Sequence, residues 1–447
     1  MPRFTHRATM IGHVAVAYET HAFPAKNIFI GNIVLNKIGE IKKEVAAKGR
    51  NSYISGEIPT QLLPMANITL FAQIISLLPK EKIRKIINKS GSDKHCKGYN
   101  TWSQFVSMIF CQFSGCDSVR DISNGLKSAT GNLNHLGISR APSKSTVAYQ
   151  NANRDSSIFR EIYYLLLQYF GQQAQWRRGK FRFKMPVKLL DSTLITLTLS
   201  LYNWAHYTAR KGAIKMHTLL DYDSLLPEFV NITDGKVPDN KASFDIDIKP
   251  FSIVVADRGY CDYALLYHWD SSGVFFVVRH KSNMRYARIE ERPLPEKRAQ
   301  NVLIDETVEL ELPSAKAKYP KKLRRIAVWN EEHQYAVVLL SNNFSLAAST
   351  IAALYKARWE IEIFFRNLKL LLRIKSFIGT SPNAVETQIW TALTTMLLLC
   401  WLKRIAKYKW ALANLAVSLR LNTFTKIDLF KWLDEPFSPP PDNAIQS

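Results

Sequence analysis

The apolar positions divide the chain into two regimes. From Met65, the residues Leu70, Phe71, Ile74, Ile75, Leu77 and Leu78 recur at helical spacing as far as Pro79. Trp102, Phe105, Met108, Ile109 and Phe113 form a second stripe closed by Gly115, and Val119, Ile122 and Leu126 a third. Pro142-Ser143 opens a further helix through Thr146, Val147, Tyr149 and Asn153, with Ser143 or Ser145 as its N-cap. Ile158 to Phe170 forms one more. Residues 65–175 therefore read as all helical. Short helices joined by tight turns, one of them starting polar and basic (Lys144, Ser145, Thr146, Tyr149, Asn153, Arg154), fit a helix-turn-helix DNA reader and an ordinary bundle about equally. Upstream, an apolar run at Asn27–Leu35 and a basic one at Lys37–Arg50 make no domain pattern. The expectation is a poorly ordered extension over 1–64, with translation starting at Met65. A mass spectrum of the natively expressed protein checks this, and a mature N-terminus at residue 1 or 2 would overturn it.

From residue 186 the period shortens. Val187 to Leu199 is rich in apolar and β-branched residues, and Ala213–Leu220 and Glu228–Thr233 read as the next strands. Phe251–Ala256 and Gly273–Arg279 are short continuous apolar runs, as in strands buried on both faces, with a helix over Cys261–Trp269 between them. Residues of about 281–340 hold alternating segments (Val302–Leu312, Ile326–Trp329, Tyr335–Leu340), an antiparallel β-rich insertion. A single long helix is predicted from about Ala347 to Leu372. Further helices follow over 382–407, 411–420 and 426–433, and residues 436–447 form a Pro-rich tail expected to be disordered. The pattern is α/β: a helical part over 65–175, then a sheet-centred part over 176–435.

Composition adds a direction. The chain has 447 residues, and 60 Lys and Arg against 37 Asp and Glu give a net charge of +23. With 47% hydrophobic residues it can build cores, which excludes a disordered polycation. A folded chain with this excess calls for a polyanion, nucleic acid before an anionic membrane surface. Part of the charge is clustered: Gln172 to Lys188 carries Arg177, Arg178, Lys180, Arg182, Lys184 and Lys188 without an acid. The five cysteines include no C-x-x-C pair, which argues against a disulfide framework or a cysteine zinc site. The longest apolar stretch, Ile389–Leu402, is shorter than the ~20 residues of a membrane span, and no signal peptide is evident. The expectation is a cytosolic protein with no membrane.

Three acids stand out by setting. Asp191 interrupts the apolar strand Val-Lys-Leu-Leu-Asp-Ser-Thr, where a carboxylate is costly unless paired or metal-bound. Asp257 ends the buried strand before Arg258-Gly259-Tyr260, and strand carboxyl ends are where open α/β sheets place functional groups. Glu362 lies on the long helix. At about 100° per residue from Tyr355, Arg358 falls near −60°, Glu362 near −20°, Lys369 near −40° and Arg366 near +20°. Ala357, Ile361, Phe364, Leu368 and Leu371 fall on the opposite, apolar face. One carboxylate ringed by a phenol and cations suits phosphate binding, although an amphipathic helix with salt bridges gives the same wheel. Three carboxylates could hold two Mg²⁺ ions about 3.5–4 Å apart for phosphodiester chemistry. Asp221, Asp223, Asp234 and Glu360 are rival acids. Asp221 and Asp223 look like turn residues, and Glu360 points near 140° on the same wheel.

The spacing Tyr355-x2-Arg358-x3-Glu362-x6-Lys369 resembles the Y-R-E-K signature of bacterial insertion-sequence DDE transposases, the IS-four group. Asp191 in Leu-Leu-Asp-Ser-Thr and Asp257 in Val-Ala-Asp-Arg-Gly-Tyr are similar to that group's first two acids. Lys211 to His217 resembles its basic strand beside the site, and Met65 to about Leu126 resembles an N-terminal domain often attached. The resemblance covers roughly residues 65–420. It implies a ribonuclease-H-like catalytic core with a β-rich insertion, preceded by an all-α DNA-binding domain. It implies that Asp191, Asp257 and Glu362 are catalytic and bind two Mg²⁺, with Mn²⁺ as a substitute. It implies a metal-dependent cut at element ends and attack of the freed 3′-hydroxyl on target DNA. Tyr355, Arg358 and Lys369 would hold phosphates. Arg210, Lys211, Lys215, His217, Arg258, Arg366, Lys144 and Arg154 are further candidate DNA contacts, and Lys316, Lys318, Lys321, Lys322, Arg324 and Arg325 form another basic cluster. Trp329 is the candidate for stacking on a flipped base, against the plainer reading of a core Trp. The partners implied are the terminal inverted repeats and target DNA, with a homodimer on paired ends, in a bacterial cytoplasm at the nucleoid. An inactive DNA-binding relative and a nuclease on the same fold are the alternatives. Terminal inverted repeats flanking the gene separate transposase from nuclease.

Overall fold

Helix caps in the N-terminal part fall where short polar side chains precede apolar stripes. Thr69 caps α1 (Leu70–Ser76), Asn100 caps α3 (Thr101–Ser114), Ser118 caps α4 (Val119–Ser128) and Ser143 caps α5 (Lys144–Asn153), each accepting a hydrogen bond from a first-turn backbone N–H. The α2 helix (Lys80–Ser90) lies between the first two, and α6 (Ser157–Gln173) closes the segment. The computed structural model describes residues 67–129, 131–173, 181, 184–198, 202, 204–208, 211–294, 301–332, 334–372 and 377–437. The expectations for 1–64 and the Met65 start, for Arg177, Arg178, Lys180 and Arg182 of the basic connector, for Arg210 and for the tail beyond 437 lie outside these residues. So does the side chain of Lys211.

A mixed sheet follows. Its strands are β1 (Val187–Leu197), β2 (His206–Thr208), β3 (Lys211–Asp221), β4 (Pro227–Asp234), β5 (Ile253–Ala256), β6 (Phe275–Arg279), β7 (Tyr286–Glu291), β8 (Val302–Leu310), β9 (Leu323–Asn330) and β10 (Tyr335–Ser341). The strand order is β2-β3-β1-β5-β6-β10-β9-β8-β7, with β4 also on β3. β3 is antiparallel to β1, β4 antiparallel to β3, and β5 and β6 run parallel to β1. All four residues of β5 are buried, as strands covered on both faces require. Between the strands lie the one-turn helix α7 (Asp239–Ala242), α8 (Tyr263–Ser271) and α9 (Pro313–Lys318). The β-rich insertion continues the same sheet. Its basic cluster is partly structural: Arg324 is buried and bidentate on Asp305, and Arg325 pairs with Glu306. These two arginines are therefore not free phosphate ligands, which corrects the expectation.

The C-terminal part is helical again: α10 (Ala348–Ala357), α11 (Trp359–Leu371), α12 (Pro382–Ile405), α13 (Leu412–Leu421) and α14 (Leu429–Asp434). The single helix expected over 347–372 is two. Arg358 keeps helical angles, but its N–H bonds to Tyr355 O and its own carbonyl accepts from Ile361, so one turn is tightened to i→i+3 spacing. One apolar core runs from Leu70 on α1 through Leu189 and Ile195 on β1 to Leu433 on α14. A second, from Leu190 to Leu340, fills the other face of the sheet. α12 meets the length and composition of a membrane span, but 89% of its apolar window is buried inside the protein. Arg420 on α13 donates to Phe113 O at the end of α3 and to Leu371 O at the end of α11, joining the helical layer to the helix that carries Glu362.

Candidate functional site

The parallel ladder between β1 and β5 has four rungs and ends at Leu190 opposite Ala256. Asp191 is the next residue on one strand and Asp257 the next on the other. Two carboxylates thus leave neighbouring parallel strands at one level, where the sheet edge opens. The open edge leaves the Ser192 N–H without a β5 partner, and Asp191 Oδ1 accepts it at 2.8 Å. Asp191 shares its face of β1 with Leu189 and Ile195, whose core α11 covers.

The helix residues reach this edge together. Arg358 donates to Asp191 Oδ2 at 3.3 Å and to Glu362 Oε1 at 2.6 Å. The Tyr355 hydroxyl donates to Asp257 Oδ1 at 3.0 Å. Lys369 donates to Thr193 Oγ1 and to the Leu194 carbonyl on β1. Asp191, Asp257, Glu362, Tyr355, Arg358 and Lys369, widely separated in sequence, thus meet in one place. Burial pushes the Asp191 carboxyl up to about 6; the Ser192 N–H and Arg358 oppose the rise, while Asp257 and Glu362 add to it. Burial, with Asp257 beside it, lifts the Tyr355 hydroxyl to about 12.

Three carboxylates offer only oxygen donors, which suits a small hard cation. As the side chains stand, no group of three acids, His or Cys among the described residues is close enough to share an ion. Arg358 supplies the positive charge between Asp191 and Glu362, so shared coordination requires that guanidinium to turn away. The donor chemistry fits a divalent metal.

The other expected contacts divide. Arg258, on a short turn directly after Asp257, Arg366 on α11 and Lys144 on the first turn of α5 are exposed. Trp329 is half-buried on β9, in the part of the β9–β10 hairpin that runs past the last β6 rung, Arg279 opposite Leu339. Three residues are corrected. Arg154 is buried and held by Gln104, the Tyr99 carbonyl and Asp93. His217 is fully buried, with Nε2 3.0 Å from Thr233 Oγ1, and burial lowers its pKa to about 4. Lys215 is largely buried and committed to the Val237 carbonyl and Asp239. Lys215 and His217 are two apart on β3 and pair with Leu194 and Ser192, so they share the face of the sheet opposite Asp191.

Sequence reasoning missed three residues here. Trp359, 58% exposed, follows Arg358 directly. Arg279 ends β6 next to Asp257 and lies 5.6 Å from the Tyr335 ring centroid. Asp239 accepts from Ser192 Oγ at 2.6 Å. Arg279 was findable as the polar end of a buried run, by the same logic as Asp257; Asp239 opens the one-turn helix α7, too short to carry a periodic signal.

Residues 182–398 match the family model described as the transposase DDE domain, and residues 66–139 match a domain of unknown function. A transposase-named protein of Sinorhizobium fredii, y4zB, is 35% identical over 58% of this chain and 71% of its own length. A Geobacillus stearothermophilus protein named as a transposase of insertion sequence element IS5377 is 26% identical over 58% of this chain and 67% of its own. One from Synechocystis, named for element IS4SA, is 24% identical over 57% of this chain and 70% of its own. By this family match and these relatives, the chain belongs to the transposase DDE-domain family, metal-dependent enzymes that cut and join DNA in transposition.

Proposed function

We propose that Asp191, Asp257 and Glu362 are the catalytic carboxylates and that they hold two Mg²⁺ ions, with Mn²⁺ able to replace them. The observation that carries this is the contact of one helix with both strand acids: Arg358 bridges Asp191 and Glu362 while Tyr355 bonds Asp257. The fold assignment proposed is a ribonuclease-H-like core. It is supported by the order β4-β3-β1-β5-β6, with three antiparallel strands followed by two parallel to β1. Bound divalent ions supply the charge that activates a water or a 3′-hydroxyl and stabilises the leaving oxygen at a phosphodiester.

The chain's own groups orient the DNA. Arg358 exchanges its carboxylate partners for a phosphate, which a guanidinium can grip with two parallel N–H donors. Tyr355 and Lys369 hold the same strand on either side, and the exposed Arg258 and Arg366 extend the cationic track. Trp329 and Trp359 flank the track as stacking surfaces for an extruded base. The helices of 67–173 serve as the DNA-binding part, with the exposed start of α5 at Lys144 as the contact. The substrates are the element's terminal inverted repeats and target DNA, handled by a homodimer on paired ends.

Glu362→Gln removes one negative ligand at nearly constant shape. Cleavage of element-end DNA in Mg²⁺ is expected to vanish, while binding of the same DNA is largely kept. Undiminished cutting by the variant would overturn the assignment.

A further inference from the structure

A fourth acid stands behind the first. Strand alternation sends Asp191 to the α11 side of β1 and Ser192 to the opposite side, where Leu190 and Tyr260 belong to the second core. There Asp239 Oδ1 accepts the Ser192 hydroxyl at 2.6 Å, the length of a charge-assisted O–H···O⁻ bond. The backbone N–H of the same Ser192 is the donor to Asp191 Oδ1. One residue is therefore anchored on one face by Asp239 and orients the carboxylate of Asp191 on the other.

We propose that Asp239 is a positioning residue of the active site, acting through Ser192 from the far face of the sheet to hold Asp191 in its metal-binding orientation. The inference rests on the metal-site reading above. Asp239 also reaches the second acid's segment: a Cβ placed on Gly259, two residues after Asp257, would lie 3.6 Å from Asp239 Oδ2. Its surroundings suit a fixed anion. Lys215 lies 3.2 Å from Oδ1 and is itself tethered to the Val237 carbonyl. His217, with no exposed surface, brings an otherwise unpartnered Nδ1 to 3.6 Å from the same oxygen. Ser192, Lys215 and His217 all approach Oδ1, so that oxygen is held by the protein itself. Outer partners of this kind change metal affinity without touching the metal.

The test uses the full-length protein bound to element-end DNA, with Mn²⁺ as the probe and free Mn²⁺ measured by electron paramagnetic resonance. Asp239→Ala and Ser192→Ala are each expected to weaken Mn²⁺ binding about 10- to 100-fold, with end-DNA affinity kept. The double variant is expected to lose no more than Asp239→Ala alone, because the serine hydroxyl acts only through its bond to that acid. Ser192→Thr keeps the hydroxyl on a strand-compatible side chain and restores the affinity. Should Asp239→Ala fail to fold, Ser192→Ala carries the test, since it deletes a single oxygen. Wild-type Mn²⁺ affinity in folded Ser192→Ala, or a loss that Ser192→Thr does not repair, would overturn the proposal. A wild-type complex that binds no Mn²⁺ would instead overturn the metal-site reading, and the proposal with it.

Discussion

At the scale of single residues, Asp191 carries the sharpest electrostatic signature. A carboxyl normally near 3.9 is raised to about 6, first by burial and then by Asp257 and Glu362. The folded state therefore binds the Asp191 proton more tightly than the unfolded chain. Its contribution to stability is fully present below about pH 4 and is lost as pH rises to about 6. In metal-free protein, Asp191→Asn should gain in melting temperature relative to wild type as pH climbs from 4 to 7. A difference moving the other way would refute the assignment. Metal reverses the balance, because ligands must be deprotonated: divalent affinity should fall as pH drops through about 6, seen by titrating Mn²⁺ at several pH values. Asp191 was legible in the sequence because an acid in an apolar strand has few cheap explanations. Asp239 was not, since its partner Ser192 is 47 residues away and nothing local marks the pair.

At the scale of elements, the same logic separates working cations from structural ones. Sequence pattern gave the helices of the N-terminal part other than α2 (Lys80–Ser90), the parallel strand ends and the contacting face of the 348–371 helices. It could not give the tightened turn at Arg358, which leaves the 3.6-residue period on either side of it unbroken. Nor could it tell Arg324 from Lys318: both belong to one basic run, but only strand pairing reveals that Arg324 faces inward, opposite Thr307, onto Asp305. Arg324→Met leaves Asp305 buried with its main partner gone, and loss of one member of a buried pair costs about 3–5 kcal/mol. Chemical denaturation should register that loss. The salt dependence of DNA binding by the folded fraction should not change, and a shallower slope would return Arg324 to the DNA-contacting set.

At the scale of the whole molecule, ion pairing within the fold leaves the excess of +23 intact, because each pair removes one charge of either sign, but it fixes which cations are committed. Arg154, Lys188, Lys215, Arg324, Arg325 and Arg358 are all engaged by acids within the fold. α12, apolar enough to suggest a membrane by composition, is spent on the core that links the N-terminal helices to the sheet. The exposed cations open to a polyanion include Arg258 and Arg366 around the acids and Lys144 on α5. Each neutralised phosphate contributes about −0.9 to the slope of log affinity against log salt on duplex DNA. Replacing Arg258 and Arg366 together by Gln should therefore make the slope shallower by about 2. Replacing Arg154 should leave the slope unchanged while lowering stability, because its guanidinium is occupied by Gln104 and the Tyr99 carbonyl. Filter binding of element-end DNA between low and physiological salt measures both. An unchanged slope in the Arg258/Arg366 variant would move the DNA track away from the acid-bearing edge of the sheet.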